Sequence, residues 1–469
     1  MAVMFKPEPQ PIPNLPHAAL SDLAERFGDR LSVSEAVRRN HASGEGLHAD
    51  SAPDAVLMVR STEDVSDAVV ICARHEFPVI AFGAGSSIEG QLVAPRGGLS
   101  IDLSEMNAIL QTNGADLDAR VQAGVTRKQL NAHLRDQGLF FPVDPGADAS
   151  IGGMVSTRAS GTTTVRYGGM RANVLGLTVV LPTGQVVATG GRARKSSAGY
   201  DLTSLFTGAE GTLGIITEIQ LRLHGIPEEI AAAVCTFGTL KGAVDSVIDA
   251  VQYGLPMARM ELLDSLSIQA VNAYSQMDHA VQPTLFLEFH GSPTAVAEQA
   301  EIFREIAAGH GGGDFQWSTS PEARDKLWDA RHKAYFAALA LSPGRLGLTT
   351  DVCVPVSELA DCLVKTREDI DASGLIGPIL GHVGDGNFHA ILLVDPNDPD
   401  EVARVRAVSD RMVRLSLSVG GTCTGEHGVG MGKKKYLRAE HGDAVDLMAV
   451  LKQAVDPKNL MNPGKIFDL

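Results

Sequence analysis

From residue 55 the chain reads "AVLMVRSTEDVSDAVVICARHEFPVIAFGAGSS": a short apolar run, the helix-starting "STED", apolar positions at helical spacing, then a second apolar run closing on glycines. This pattern predicts strand, helix, strand and a glycine loop. Further short apolar segments, "LSIDLS", "ARVQAGV", "LGLTVVLPTGQVVATGG" and "GTLGIITEIQLRL", predict more strands, with "PTGQ" as a hairpin turn. A mixed α/β region is therefore expected to about residue 227. Beyond "HGIPEEI" the pattern changes: "AAVCTFGTLKGAVDSVIDAVQYG" predicts strand then helix, "TLFLEFHG" a strand and "AVAEQAEIFREIAAGHGG" a helix. A second α+β sheet domain is expected to about residue 415, followed by a helix and a proline-stopped tail, "LKQAVDPKNLMNPGKIFDL". No repeat and no low-complexity tract interrupts this order.

A chain of 469 residues has the length for two or three domains and needs neither disulfides nor metal to bury a core. With 40 Lys and Arg against 56 Asp and Glu, the net charge of −16 gives no footing for nucleic acid or an anionic membrane surface. A small soluble substrate is expected instead. Five cysteines (Cys72, Cys235, Cys353, Cys362, Cys423), without CxxC spacing, argue for a reducing compartment and against a thiolate zinc site. No apolar run reaches the length of a membrane span, and the proline-rich start resembles no targeting signal. Those features predict a cytoplasmic protein, at most peripheral to the inner membrane.

The chemistry concentrates in two kinds of segment. In "PVIAFGAGSS", and again in the Gly-, Ser- and Thr-rich "DPGADASIGGMVSTRASGTTTVRYGGM", small residues let backbone N–H groups approach an anion or a flat ligand. A tight turn of purely structural purpose would look the same at the first of these, which is not the GxGxxG of a dinucleotide fold. The other segments are "HVGDGNFH" and "TCTGEHGVG". "DG" between apolar residues predicts a hairpin in which a four-residue loop, Gly384 to Asn387, pairs Val383 with Phe388 and His382 with His389. Opposed residues share a sheet face with Cβ atoms roughly 5 Å apart, so both imidazoles could reach one divalent cation. Glu426 would add an oxygen ligand and His427 an acid or base. Taken alone, either histidine reads first as a core or surface residue, Arg331 as an exposed helix residue paired with Asp325 or Asp329, and Lys433, Lys434 and Lys435 as a solvated face.

Taken together, "PVIAFGAGSS", "PGADASIGGMVSTRASG" and "FTGAEGTLGIIT" resemble, in order and spacing, the FAD-binding domain of the vanillyl-alcohol oxidase and p-cresol methylhydroxylase family. The resemblance implies an α+β fold with three parts: a two-part FAD-binding domain (1–227), an α+β substrate or cap domain with an antiparallel sheet (228–415), and a C-terminal segment (416–469) that carries Glu426 and His427 and returns to the flavin domain. It puts the FAD pyrophosphate on the first loop (Phe82, Gly83, Ala84, Gly85, Ser86, Ser87). The second, with Pro145, Gly146, Ser150, Ile151, Gly152, Gly153, Ser156, Thr157 and Gly161, would line the isoalloxazine. The third, with Glu210, Gly211, Gly214, Ile215 and Ile216, would meet the adenine end, while Asn462 of "MNPGKIF" returns to the flavin. Relatives with covalent flavin carry a histidine in the first loop; "GAGSSIEG" has none, so noncovalent FAD is expected.

From "LWDARHKAYFAAL" through "TTDVCVPVSEL", "GHVGDGNFH" and "GTCTGEHGVGMGKKKYL", the second half resembles the FAD-dependent D-lactate dehydrogenases of the cytochrome-linked type, and the likeness extends over residues 45–469. It implies that His382, His389 and Glu426 ligate a divalent metal, zinc or manganese, that His427 is the catalytic base and substrate contact, and that Arg331 grips the substrate carboxylate, with Tyr335, Thr349 and Ile391 also at the substrate. Relatives that oxidise 2-hydroxyglutarate carry lysine and asparagine where Thr349 and Ile391 align, so a short aliphatic D-2-hydroxy acid, D-lactate first, is expected here. Electrons would pass to cytochrome c, a quinone or an electron-transfer flavoprotein, and a homodimer is the assembly considered. Glycolate or D-2-hydroxyglutarate oxidation is the runner-up within the class; a metal-dependent hydrolase and a noncatalytic electron-transfer subunit are the alternatives outside it.

Overall fold

The Ser61 hydroxyl accepts a hydrogen bond from the Asp64 amide and starts the helix Thr62–Arg74, as "STED" predicts. The computed structural model describes residues 17–42, 44, 46 and 51–469, which form two units. One holds the described residues up to Ser160 with Gly168–Ile226 and Glu426–Leu469; the other holds Gly161–Tyr167 and Pro227–Gly425.

In the first unit, strands β2 (Ala55–Met58), β3 (Val79–Phe82) and β4 (Leu99–Asp102) run parallel in the order β2-β4-β3, and β1 (Leu31–Ser32) adds an antiparallel edge. The predicted strand, helix, strand unit is thus β2, the Thr62–Arg74 helix and β3. A second, antiparallel sheet orders β5 (Ile109–Asn113), β6 (Asp118–Gln122), β10 (Ile215–Arg222), β8 (Val174–Val180) and β9 (Val186–Gly190) as β5-β6-β10-β8-β9, with "PTGQ" turning between β8 and β9. β7 (Leu139–Phe140) pairs with β11 (His224–Gly225). One apolar core, including Leu57, Ile101, Phe141 and Ile219, joins the two larger sheets.

The second unit is built on an antiparallel sheet of β12 (Glu229–Thr236), β13 (Met257–Leu263), β14 (Thr284–Gly291), β15 (Gln316–Ser318), β16 (Leu346–Thr349), β18 (Ile379–His382) and β19 (Asn387–Val394), in the order β15-β12-β14-β13-β18-β19-β16; β17 (Val352–Cys353) pairs with β19. Because alternate residues share a face, the registers place Glu288, Arg259, Glu261, His382, His389, Ile391 and Thr349 on one side. Trp328, Ala334, Ala337 and Ala338, from the helices Pro321–His332 and Ala334–Ala340, pack on that side against Phe286, Leu380 and Leu393. The helix Pro293–Gly309 covers the other side, Phe303 lying 6.5 Å from Phe289 between ring centroids. The fold is α+β with an antiparallel sheet in the second unit, as expected. Among the described residues no helix is long and apolar enough to cross a membrane.

Candidate functional site

In the first unit the three glycine segments and the C-terminal segment converge. A Cβ on Gly83 would sit 2.3 Å from Ser150 Oγ, so a larger residue there would displace the hydroxyl that caps the helix Ile151–Thr157. Ser150 caps the helix Ile151–Thr157, whose N-terminal N–H groups belong to the second segment. Gly152 lies so close to Ala123 that a Cβ would approach its methyl group to 2.6 Å. The Glu210 amide donates to the Ser156 carbonyl at 2.9 Å, tying the third segment to the second. Asn462 Nδ2 donates to the carbonyls of Glu210 at 2.7 Å and Gln91 at 3.1 Å, and its own amide bonds the Val79 carbonyl at 2.8 Å. Glu210 and Asn462 both hold left-handed backbone (φ 50° and 42°), a conformation these contacts over-determine. Phe82 ends β3, Ala84, Gly85, Ser86 and Ser87 follow in the loop after it, and Ile215 and Ile216 begin β10. Pro145, Gly146, Gly153, Thr157, Gly211 and Gly214 belong to the same segments of this unit, while Gly161 begins the stretch that belongs to the other. Such close backbone approach without side chains fits a large, flat, phosphorylated cofactor.

The segment carrying Glu426 and His427 is held from within this unit. Gln91 Nε2 donates to the His427 carbonyl at 2.9 Å, and the Glu210 carboxylate accepts from the amides of Val429 at 2.6 Å and Gly430 at 2.8 Å. Burial, opposed by those two hydrogen bonds, pushes the Glu210 carboxyl up to about 7. The Glu89 carbonyl accepts from Met431 and Gly432. Lys433 is 7% exposed with Nζ 3.3 Å from Glu89 Oε1, which corrects the expectation of a solvated lysine run at this position. Lys435 is exposed, as expected, and Lys434 pairs with Asp468.

In the second unit, His382 and His389 come together with ring centroids 5.5 Å apart, and a nitrogen of one ring lies within 4.8 Å of a nitrogen of the other. The pairing register differs from the expected one. His389 lies opposite Leu380, two residues from the predicted partner, because Val383–Asp385 forms a 3₁₀ turn closed by Gly386 at φ 80°. A slip of two residues keeps side chains on the same face, so the imidazoles still meet, diagonally. His382 Nδ1 donates to Glu261 Oε1 at 2.7 Å, and His389 Nδ1 donates to the Thr350 carbonyl at 2.9 Å. Both acceptors take the Nδ1 proton, which leaves Nε2 as the nitrogen that could face a metal. This donor set fits a divalent cation of the zinc or manganese kind.

Glu261, which the sequence reading did not single out, is 0% exposed and binds Arg331 as well: Arg331 Nε donates to Oε2 at 2.9 Å, with Nη2 at 2.7 Å. Burial would raise the Glu261 carboxyl, but His382 and Arg331 together hold it below the ordinary glutamate value. Arg331 is 8% exposed, so the alternative of a surface arginine is excluded; Asp329 pairs with Lys333 instead. Thr349 lies directly opposite Ile391, on the face that bears His389. Ile391 is buried, and a Cβ on Gly347 would lie 3.2 Å from its Cγ2 and 3.5 Å from Tyr335 Cε2, which brings Tyr335 to the same neighbourhood. Asp351 and Asn387, also unmarked in the sequence, bond each other at 2.7 Å behind His389.

Residues 226–466 match the family "FAD linked oxidases, C-terminal domain", and residues 53–190 match the family "FAD binding domain". The chain is 50% identical over 443 residues, 94% of it and 89% of the relative, to "Probable D-lactate dehydrogenase, mitochondrial" of Danio rerio. It is 44% identical over 455 residues, 96% of it and 80% of the relative, to the mitochondrial D-lactate dehydrogenase (cytochrome) of Arabidopsis thaliana. Among solved structures it is similar in fold to 4-ethylphenol oxidase from Gulosibacter chungangensis, with a TM-score of 0.80, 20% identity, and coverage of 98% of this chain and 99% of that one.

Proposed function

This chain belongs to the FAD linked oxidases, and on that premise we propose that it oxidises D-lactate and other short aliphatic D-2-hydroxy acids to the 2-oxo acids. The observation that carries the reading is the buried Arg331–Glu261–His382 connection, which sets a carboxylate-binding guanidinium beside an imidazole pair in ligand-competent form. With Nε and Nη2 on Glu261, Nη1 and the outward hydrogen of Nη2 could grip a substrate carboxylate, a planar match that orients the α-carbon. FAD, when bound without a covalent link, supplies an acceptor for the α-hydrogen as hydride. A divalent cation on His382, His389 and Glu426 would lower the pKa of the substrate hydroxyl, as it does for bound water, from about 15.7 toward about 7. His427 would accept the hydroxyl proton, a role open to an imidazole near neutral pH. Electrons leave to a cytochrome, quinone or electron-transfer flavoprotein.

Anaerobic titration tests this. D-lactate should bleach the flavin absorption near about 450 nm, L-lactate should not, and EDTA should abolish the bleaching while leaving the flavin spectrum and the far-ultraviolet dichroism intact, since the proposed metal serves substrate binding and not the fold. A yellow protein bleached by no hydroxy acid would overturn the substrate reading. Unfolding on chelation would make the metal structural.

A further inference from the structure

Along β13, Arg259 and Glu261 project from the same sheet face, and along the helix Pro321–His332, Trp328 and Arg331 stand one turn apart. Two rungs therefore join this strand to this helix. One is the Glu261–Arg331 ion pair. In the other, the guanidinium carbon of Arg259 lies 4.6 Å from the ring centroid of Trp328, which is 6% exposed. A desolvated cation is attracted to the face of an indole, which constrains the ring's orientation as well as its distance.

Arg259 is itself held in place by a buried chain of polar groups. Its Nη1 lies 3.3 Å from Glu288 Oε2, Glu288 Oε1 accepts from His290 Nε2 at 2.7 Å, and the Tyr167 hydroxyl meets His290 Nδ1 at 2.7 Å. Glu288 and His290 are 6% and 4% exposed. Burial would raise the Glu288 carboxyl, yet Arg259 and His290 hold it below the ordinary value, so the group stays ionised at neutral pH. None of these residues has a part in the chemistry described above. Buried ionic chains of this kind are costly in stability and are retained where they fix a single arrangement.

We infer that Arg259 and Trp328 are positioning residues for Arg331: the stack sets the rotation and height of the helix that presents the substrate-binding guanidinium, and Glu288, His290 and Tyr167 hold Arg259 for that purpose. The inference rests on the reading that Arg331 binds the substrate carboxylate. Loss of the stack lets the helix turn while the Glu261 pair remains, so carboxylate binding weakens more than the chemical step.

The test uses the holoenzyme with D-lactate and an artificial acceptor, comparing Arg259→Met, Arg259→Lys, Trp328→Leu, Trp328→Phe and Arg331→Ala, with FAD content and melting temperature as controls for folding. Arg259→Met and Trp328→Leu should raise KM about tenfold or more with kcat within about threefold, and Trp328→Phe, which keeps a ring under the cation, should restore KM to within about threefold. KM within about twofold of the parent in both disruptive variants, while Arg331→Ala raises it, overturns this inference alone. If Arg331→Ala leaves KM unchanged, the substrate reading and this inference fall together. Should the disruptive variants fail to fold, Arg259→Lys decides: it keeps the charge but loses the planar stack, so KM should rise about threefold, and an unchanged KM overturns the proposal.

Discussion

Glu261 and His382 lie directly opposite each other on adjacent strands, and the carboxylate fixes the imidazole at 2.7 Å through Nδ1. The same carboxylate is the counterion of Arg331, so one buried group sets the tautomer of a proposed metal ligand and the orientation of a proposed substrate ligand. Glu261→Gln should lower metal affinity by about 10- to 100-fold, the usual cost of removing a carboxylate behind a ligating histidine, and should raise KM for D-lactate. Metal content after dialysis against a weak chelator, with steady-state kinetics, checks it. Retention of metal and KM at parent levels would show that Glu261 serves only the fold.

Acid should remove the contribution of Glu261 to stability. Its folded pKa lies below the unfolded value, so the contribution is present above the ordinary glutamate range and is lost as pH falls through the lower, folded value. The stability gap between the parent and Glu261→Gln, from urea titrations, should be full at pH about 6 and narrow on acidification. A gap that widens toward low pH would contradict the direction given.

Glu210 should behave in the opposite sense. Burial raises its carboxyl to about 7, so the stability linked to its protonated form is complete below the ordinary glutamate value and lost as pH rises through about 7. The shift corresponds to roughly 3 kcal/mol. Glu210→Gln, neutral throughout, should therefore gain on the parent between pH about 5 and about 8 in melting experiments. A gap independent of pH would mean that the carboxyl titrates normally.

Much of this was legible in the sequence where a local pattern carries it: the apolar periods gave the strands, and the runs of small residues marked the segments that meet at Gly83 and Gly152. The histidine pair was legible because a face survives a register slip of two, although the 3₁₀ turn that causes the slip was not. Glu261 was illegible for a physical reason. Its partners lie 70 and 121 residues away, and a single glutamate in "MARMELLDS" looks like any half-buried strand position. Lys433 misled because charge runs usually face water; its burial depends on Glu89, in a distant loop.

His427→Ala should retain FAD and metal yet lose flavin reduction by D-lactate, since the proposed base goes while His382, His389 and Glu426 remain. The loop should survive the change, because it is pinned through the His427 carbonyl and the amides of Val429 and Gly430, none of which the substitution removes. Stopped-flow reduction within about threefold of the parent would reject His427 as the base.

The pair Thr349 and Ile391 should decide substrate length if the substrate lies where proposed. They face each other across β16 and β19, on the side of the sheet that bears His389, and Ile391 is 2% exposed among apolar neighbours. A second carboxylate brought to this pair would meet a hydroxyl and a branched alkyl group, and an ion desolvated without a counter-charge costs several kcal/mol even after relaxation. A short alkyl chain instead gains about 0.8 kcal/mol for each methylene it buries. D-lactate and somewhat longer aliphatic D-2-hydroxy acids should therefore be oxidised, with D-2-hydroxyglutarate disfavoured at least about a hundredfold in kcat/KM, or about 2.7 kcal/mol. Thr349→Lys combined with Ile391→Asn should narrow that ratio by supplying a cation and an amide where the diacid needs them, at some cost to D-lactate. Measurement of kcat/KM for both acids, with parent and double variant and an artificial acceptor, settles it: comparable values in the parent, or an unmoved ratio in the variant, would place length selection elsewhere.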